Sequence, residues 1–193
     1  MLHNQIFKKR RSIRLKGYDY SQSGFYFITI CTKNMKCIFG EIKNGSMLAN
    51  QYGKIAGDAW LQTMEIRTNV RLHAFVIMPN HIHGIIEINT SRGELHSPAQ
   101  EHSPAPTKQT PVPEQQQQKQ QRGTSNTVGA IVRGYKASVT RQIKLIDDTI
   151  ETVWHRNYYE HIIRDERSYE NITNYINNNP EKWQADKFHR TGE

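Results

Sequence analysis

Val76-Ile77-Met78-Pro79-Asn80-His81-Ile82-His83-Gly84-Ile85-Ile86-Glu87-Ile88 is the stretch from which the rest of the chain can be ordered. From His81 onward, isoleucines dominate and nothing breaks the run, which predicts a buried strand. Side chains alternate faces along a strand, so His81 and His83 share one face while Ile82, Gly84 and Ile86 take the other. Two imidazoles about 7 Å apart on one strand face can converge on a divalent metal if a third ligand comes from elsewhere. As an alternative, both are polar residues on a half-exposed face. The pair interrupts an apolar run where uncompensated imidazoles are costly, which favours the metal.

Working outward, Leu72 to Met78 reads as a strand, with Pro79-Asn80 as a break or bulge before the next. So short a connection makes the two strands antiparallel neighbours. His73 lies in the first of them and reads as structural. Upstream, Phe25 to Thr32 is an aromatic and β-branched run, hence a strand. In residues 37–50, Asn44-Gly45 separates two short apolar runs, the hairpin signal. Residues 51–67 change period: Tyr52, Ile55, Ala56, Ala59, Trp60 and Met64 recur at helical spacing and predict an amphipathic helix.

Downstream, Thr124-Ser125-Asn126 is a candidate N-cap. Val128, Ile131, Val132, Tyr135, Val139 and Ile143 follow it as a helical stripe that ends at Asp147-Asp148. Residues 153–159 read as a loop entering an aromatic strand or a helix start. A last helix spans about 166–178, with Tyr169, Ile172 and Ile176 as its core stripe. Tyr175 and Asn179, four apart, nearly stack at the edge of that stripe. The adjacent Tyr158 and Tyr159 read as packing or nucleic-acid contacts. These elements make an α+β chain.

The 193 residues allow one domain of ordinary size plus an extra segment. Residues 90–123 supply that segment. They hold five of the seven prolines, a repeated His-Ser-Pro-Ala and a Gln-rich run, with little apolar surface to bury. They read as a disordered insertion between residues 1–89 and 124–193 of one domain, and His96 and His102 within it are discounted as ligands. The net charge is +8, which favours a polyanionic partner, nucleic acid before an anionic membrane. Lys8, Lys9, Arg10, Arg11, Arg14 and Lys16 form a basic arm interleaved with Ile13, Leu15, Tyr18 and Tyr20, suited to phosphates. Arg133 and Lys136 on the penultimate helix are further candidate phosphate contacts. No run approaches the roughly 18 apolar residues of a membrane span, and no apolar signal region precedes Lys8. Cys31 and Cys37 have no framework or zinc spacing. Together these point to a cytoplasmic protein with no membrane partner.

Three blocks, taken together, carry a family resemblance: Arg11 to Ser21, Val76 to His83, and Asn157 to Glu166 continuing through Tyr175-Ile-Asn-Asn-Asn-Pro180. They resemble the REP-associated tyrosine transposases of the single-tyrosine His-hydrophobic-His superfamily, over nearly all of the chain except residues 90–123. The resemblance implies a ferredoxin-like antiparallel sheet with helices packed on one face. The histidine motif is then on a central strand and the tyrosine on the C-terminal helix. It implies that His81, His83 and Asn179 bind Mg²⁺ or Mn²⁺ and that Tyr175 is the nucleophile. Asn is one methylene shorter than the Gln common at this position in the wider superfamily, so direct and water-mediated ligation both stay open. The implied activity is cleavage and rejoining of single-stranded or hairpin-forming DNA through a 5′-phosphotyrosine. A rolling-circle replication initiator or relaxase, a catalytically decayed nucleic-acid-binding regulator and a zinc-binding structural protein are the competing readings. A second copy of the chain also stays open as a partner. Superfamily relatives form dimers that exchange the tyrosine helix, whereas REP-associated members can act as monomers.

The basic arm yields a direct test. Neutralising Lys8, Lys9, Arg10 and Arg11 together lowers the slope of log affinity against log salt by up to about 3 for single-stranded DNA. Fluorescence anisotropy across a salt series measures it, and an unchanged slope removes the arm from the interface.

Overall fold

The computed structural model describes residues 17–89 and 126–189. Six of the predicted nucleic-acid contacts (Lys8, Lys9, Arg10, Arg11, Arg14 and Lys16) and the insertion at 90–123 therefore lie outside the described residues. In chain order the elements are β1 (Gly24–Cys31), β2 (Gly40–Lys43), β3 (Ser46–Ala49), α1 (Gln51–Ile66), β4 (Val70–Ile77), β5 (His81–Ile88), α2 (Val128–Ile146), β6 (Tyr159–Ile163) and α3 (Glu166–Asn177). Four strands form one sheet in the order β4-β5-β1-β6, and each pairs antiparallel with its neighbours. With α1 between β1 and β4 and α2 between β5 and β6, this is the ferredoxin-like arrangement. The β2–β3 hairpin is inserted ahead of α1 as a separate two-stranded sheet. Asn44 and Gly45 at its turn have φ of 51° and 73°, the paired positive values that suit a right-twisted two-residue hairpin.

Strand β5 is buried on both faces, and its alternation divides the core in two. Ile82, Ile86 and Ile88 pack with Tyr26, Ile28 and Ile30 of β1 under α1 and α2. From α1 come Ala56, Ala59 and Trp60. From α2 come Ile131, Val132, Tyr135, Val139 and Ile143, the stripe its sequence predicts. The Tyr135 hydroxyl donates to Ala56 O at 3.0 Å and ties the two helices together. On the opposite face Ile85 packs with Ile163 and with Ile176 of α3. Helices on one face therefore describes α1 and α2, whereas α3 covers the other face. The strand requires this: His81 and His83 point away from Ile82 and Ile86, so a helix that serves them must cross the side that α1 and α2 leave open.

Three local features differ from the sequence pattern. The α2 cap is Thr127, whose side chain accepts from Ala130 N, one residue past the predicted triplet. Met64, expected on the α1 stripe, is exposed, and Thr63 is the buried residue in that turn. The irregularity predicted at Pro79-Asn80 is a tight turn in which Met78 N donates to His81 O at 2.8 Å. A separate bulge lies inside β4, where the register shifts between Leu72 and Phe75. The extra residue sends both His73 and Ala74 toward α3, while Leu72 and Phe75 keep to the α1 side. No helix among the described residues is long and apolar enough to cross a membrane.

Gly84 fits this packing because it lacks a side chain. A Cβ there sits 2.4 Å from Trp60 Cζ2, inside van der Waals contact. Gly84→Ala destabilises the fold by about 1–3 kcal/mol through overpacking, with a matching drop in melting temperature by circular dichroism. An unchanged transition contradicts the Trp60–Gly84 contact.

Candidate active site

Four side chains that the sequence singles out meet on the α3 face: His81, His83, Tyr175 and Asn179. His81 and His83 are fully buried, with ring centroids 4.5 Å apart. Asp165 caps α3 by accepting from Ser168 N at 2.8 Å. Tyr169, Ile172 and Ile176 then seat the helix on the sheet, as their spacing predicts. A cross-link helps hold it there: His73 Nδ1 meets the Tyr169 hydroxyl at 2.9 Å and its Nε2 meets Glu87 Oε2 at 2.9 Å. His73 is structural, as its sequence position suggests.

Held in this way, α3 carries the Tyr175 hydroxyl to 3.1 Å from His83 Nε2. Asn179 lies just beyond the end of α3, where its backbone N–H bonds Ile176 O in a tightened final turn. It is buried all the same, and its side chain joins the group. Tyr175 is 39% exposed, so the nucleophile candidate is open to a macromolecular substrate while the histidines beside it are not.

Buried hydrogen bonds set the imidazole geometry. Asn80 is fully buried, and its Nδ2 donates to Met35 O at 3.1 Å and Phe188 O at 2.8 Å. Its Oδ1 must then accept, and it lies 2.8 Å from His81 Nδ1. The proton of His81 is thereby placed on Nδ1, and Nε2 keeps its lone pair. For His83 the partner is Thr29 Oγ1, 2.8 Å from Nδ1. That contact engages Nδ1, and Nε2 is the His83 nitrogen that faces Tyr175. Burial pushes the His81 pKa down to about 4, opposed in part by Asp186 and Asn179. Burial, with His81 and Lys187 nearby, holds His83 well below the usual imidazole value. Both rings are neutral at physiological pH, the form that binds a metal.

Asp186 completes the group and carries no periodic signal in the sequence. Its Oδ1 accepts from Phe188 N at 2.6 Å, which fixes the carboxylate. Its Oδ2 accepts from Asn179 Nδ2 at 2.9 Å and lies 3.4 Å from the Tyr175 hydroxyl. The ligating atoms of His81, His83 and Asp186 lie within 4.8 Å of one another. Within this group, two buried atoms have no hydrogen-bond partner among the described residues, His81 Nε2 and Asn179 Oδ1. Such orphaned polar atoms cost about 1–3 kcal/mol each. Two nitrogen lone pairs, a carboxamide oxygen and a carboxylate fit a divalent cation, and binding one satisfies both orphans. Burial and the Asp186 charge raise the Tyr175 pKa to about 12, so its hydroxyl keeps its proton at neutral pH.

The remaining predicted contacts sit apart from this group. Arg133 is exposed on α2, across the sheet from the histidines. Lys136 donates to His155 O at 2.8 Å and Asn157 O at 3.1 Å, so it anchors the segment leading into β6. Partial burial lowers its pKa to about 8. Of the adjacent tyrosines, Tyr158 packs against the α1–α2 core, while Tyr159 is exposed on the histidine face.

Comparison with known proteins adds the following. No family model matches the chain. A Haemophilus influenzae protein, named only as uncharacterized, is 45% identical over 188 residues, 97% of each chain. Among solved structures, a REP-associated tyrosine transposase bound to a REP hairpin superposes with a TM-score of 0.52 at 17% identity. The match covers 88% of this chain and 74% of that one, and it is a likeness of fold.

The Asn80 contact is testable without turnover. Asn80→Ala removes the acceptor that fixes the His81 tautomer and lowers divalent-metal affinity by about 10–100-fold. Mn²⁺ titration followed by electron paramagnetic resonance reads the change, in protein that still unfolds cooperatively. Unchanged affinity contradicts the role given to Asn80.

Proposed function

This chain belongs to one family with the Haemophilus influenzae protein and has the fold of a REP-associated tyrosine transposase, and on that premise we propose that it cuts and rejoins single-stranded DNA. The proposed substrate is hairpin-forming DNA and the proposed intermediate a 5′-phosphotyrosine on Tyr175. The observation that carries this reading is the placement of the half-exposed Tyr175 hydroxyl 3.1 Å from His83 Nε2, beside the orphaned His81 Nε2 and Asn179 Oδ1.

Tyr175 oxygen attacks the scissile phosphorus, a Tyr–O–P bond forms, and the bond from phosphorus to the 3′ oxygen breaks. The phenolic proton passes to Asp186 Oδ2, the nearest carboxylate oxygen. The departing 3′ oxygen takes up a proton from solvent and leaves as a free 3′-OH, and Asp186 releases the phenolic proton to solvent, so the protons balance. Because the phosphotyrosine keeps the phosphodiester bond energy, a 3′-OH can reverse the step and rejoin strands without ATP. The high Tyr175 pKa makes the proton transfer the demanding part, which explains the value of a cation beside it.

His81, His83, Asn179 and Asp186 are the residues that would hold that cation. It would supply Lewis-acid stabilisation of charge on the phosphate oxygens. Imidazoles mixed with oxygen donors suit Mn²⁺ better than Mg²⁺, which prefers oxygen ligands and its own waters. The grouping of His81, His83, Tyr175 and Asn179 on one face supports this reading over a decayed regulator. Tyr175 is the one candidate nucleophile on α3, since the Tyr169 hydroxyl is bonded to His73, and the lack of a tandem pair weighs against the replication-initiator reading.

Incubating the protein with a labelled hairpin and Mn²⁺ tests the proposal. A covalent adduct should form at Tyr175 through the 5′ phosphate and leave a free 3′-OH. Tyr175→Phe should lower cleavage by on the order of a thousandfold or more, and chelation by EDTA should stop it. An adduct at Tyr159, two free DNA ends, or cleavage that persists in EDTA contradicts the proposal.

A further inference from the structure

Beside the histidine pair lies a cavity of about 750 Å³ that the chemistry above does not use. It lies over β1 and β6, on the part of the histidine face beyond α3. Its lining includes Phe27, Thr29, Met35, Tyr159, His161 and Phe188. Three of these touch the candidate active site directly. Thr29 Oγ1 contacts His83 Nδ1, the Phe27 ring stacks on His83 with centroids 5.2 Å apart, and Phe188 lies 5.8 Å from the same imidazole. Phe27 also meets Tyr175 edge-on at 6.2 Å. Cavity and reaction centre thus share a wall.

From these walls we infer that the cavity binds the unpaired nucleobase of a nucleotide adjoining the scissile phosphate, with Tyr159 as its stacking platform. The inference rests on the proposed DNA-cleaving role and adds a base subsite to it. Register supplies the geometry: His83, Thr29 and Tyr159 face one another across β5, β1 and β6. Tyr159 thus stands two strand spacings from His83, about 10 Å. A base whose own phosphate sits at the histidines reaches that far across the sheet.

Chemistry matches the position. Tyr159 is 52% exposed on a sheet face next to buried catalytic candidates, so its ring is open to a stacking partner. Phe27 and Phe188 add further ring surface, and aromatic faces stack on any base without reading its sequence. The cation on this wall is Lys187, with its Nζ 4.8 Å from the Phe188 ring centroid, placed to meet the backbone of a strand that enters. His155 and His161 add ring nitrogens to the rim that can bond base edges. Paired DNA keeps its bases stacked inside the duplex, so the cavity favours unpaired flanks over the stem of a hairpin.

The test uses the full chain carrying Tyr175→Phe, so that binding is measured without cleavage. The probe is a fluorescein-labelled hairpin with unpaired thymidine flanks, and affinity is read by anisotropy. Abasic sites are placed singly along the flanks. One abasic position should weaken binding about tenfold. Adding Tyr159→Ala should weaken binding to the intact probe to the same extent and make it insensitive to that abasic site, whereas Tyr159→Phe keeps the affinity. Such coupling is the signature of direct contact. If Tyr159→Ala and every abasic site act independently, or if none changes affinity, the subsite is overturned while the cleavage proposal stands. If the hairpin does not bind at all and wild-type protein forms no adduct with it, the cleavage proposal falls and the subsite with it.

Discussion

Everything in this fold depends on the two-residue period of β5. A central strand buried on both faces has to satisfy two neighbourhoods at once, and here they are of different kinds. One face offers Ile82, Ile86 and Ile88 to α1 and α2 and leaves a gap at Gly84 for Trp60. The other offers His81 and His83 to α3, with Ile85 beneath. A slip of one residue exchanges the faces, pressing two imidazoles into the aliphatic core and isoleucines into the polar site. Few registers are specified more strongly, and the rigid scaffold this creates holds a small polar cluster in a fixed geometry.

That cluster shows how buried polarity is held in a defined geometry. Each imidazole has one nitrogen engaged, by Asn80 or Thr29, and turns the other into the site. Among the described residues, His81 Nε2 and Asn179 Oδ1 have no partners. Unsatisfied polar atoms side by side in a well-packed interior are costly, and a site kept at that cost is one that expects a ligand. The bulge in β4 contributes from a distance: by turning His73 toward α3 it provides the Tyr169–His73–Glu87 chain that fixes the tyrosine helix against the sheet.

Much of this was legible in the sequence because it rests on short periods. Strand alternation placed His81 and His83 together, and helical spacing placed Tyr175 and Asn179 at the edge of the Tyr169–Ile172–Ile176 stripe. What periodicity cannot register is a side chain whose partners lie far away in the chain. Asn80 looked like a turn residue, yet its carboxamide joins Met35, His81 and Phe188. Asp186 sits in an irregular segment after the 3-10 turn at Trp183–Ala185, where its side chain bonds Phe188 N two residues on and no periodic pattern marks it. Lys136 looked like a surface cation because its charge lies off the α2 stripe, but it caps two carbonyls of the segment before β6. The bulge in β4 was hidden as well, because an extra residue in an apolar run leaves the composition unchanged.

The fit of Trp60 over Gly84 has an evolutionary corollary. The glycine follows the second histidine directly, so it reads in a motif as part of the reaction centre, yet it faces the other way and answers to an indole on α1. Positions 60 and 84 are therefore free to drift only as a pair, with a smaller residue at one making room for a larger residue at the other. His81 and His83 answer to α3 and the segment beyond it. Replacing the histidines therefore leaves the demand for glycine at position 84 unchanged, because the two faces of one strand answer to different neighbours.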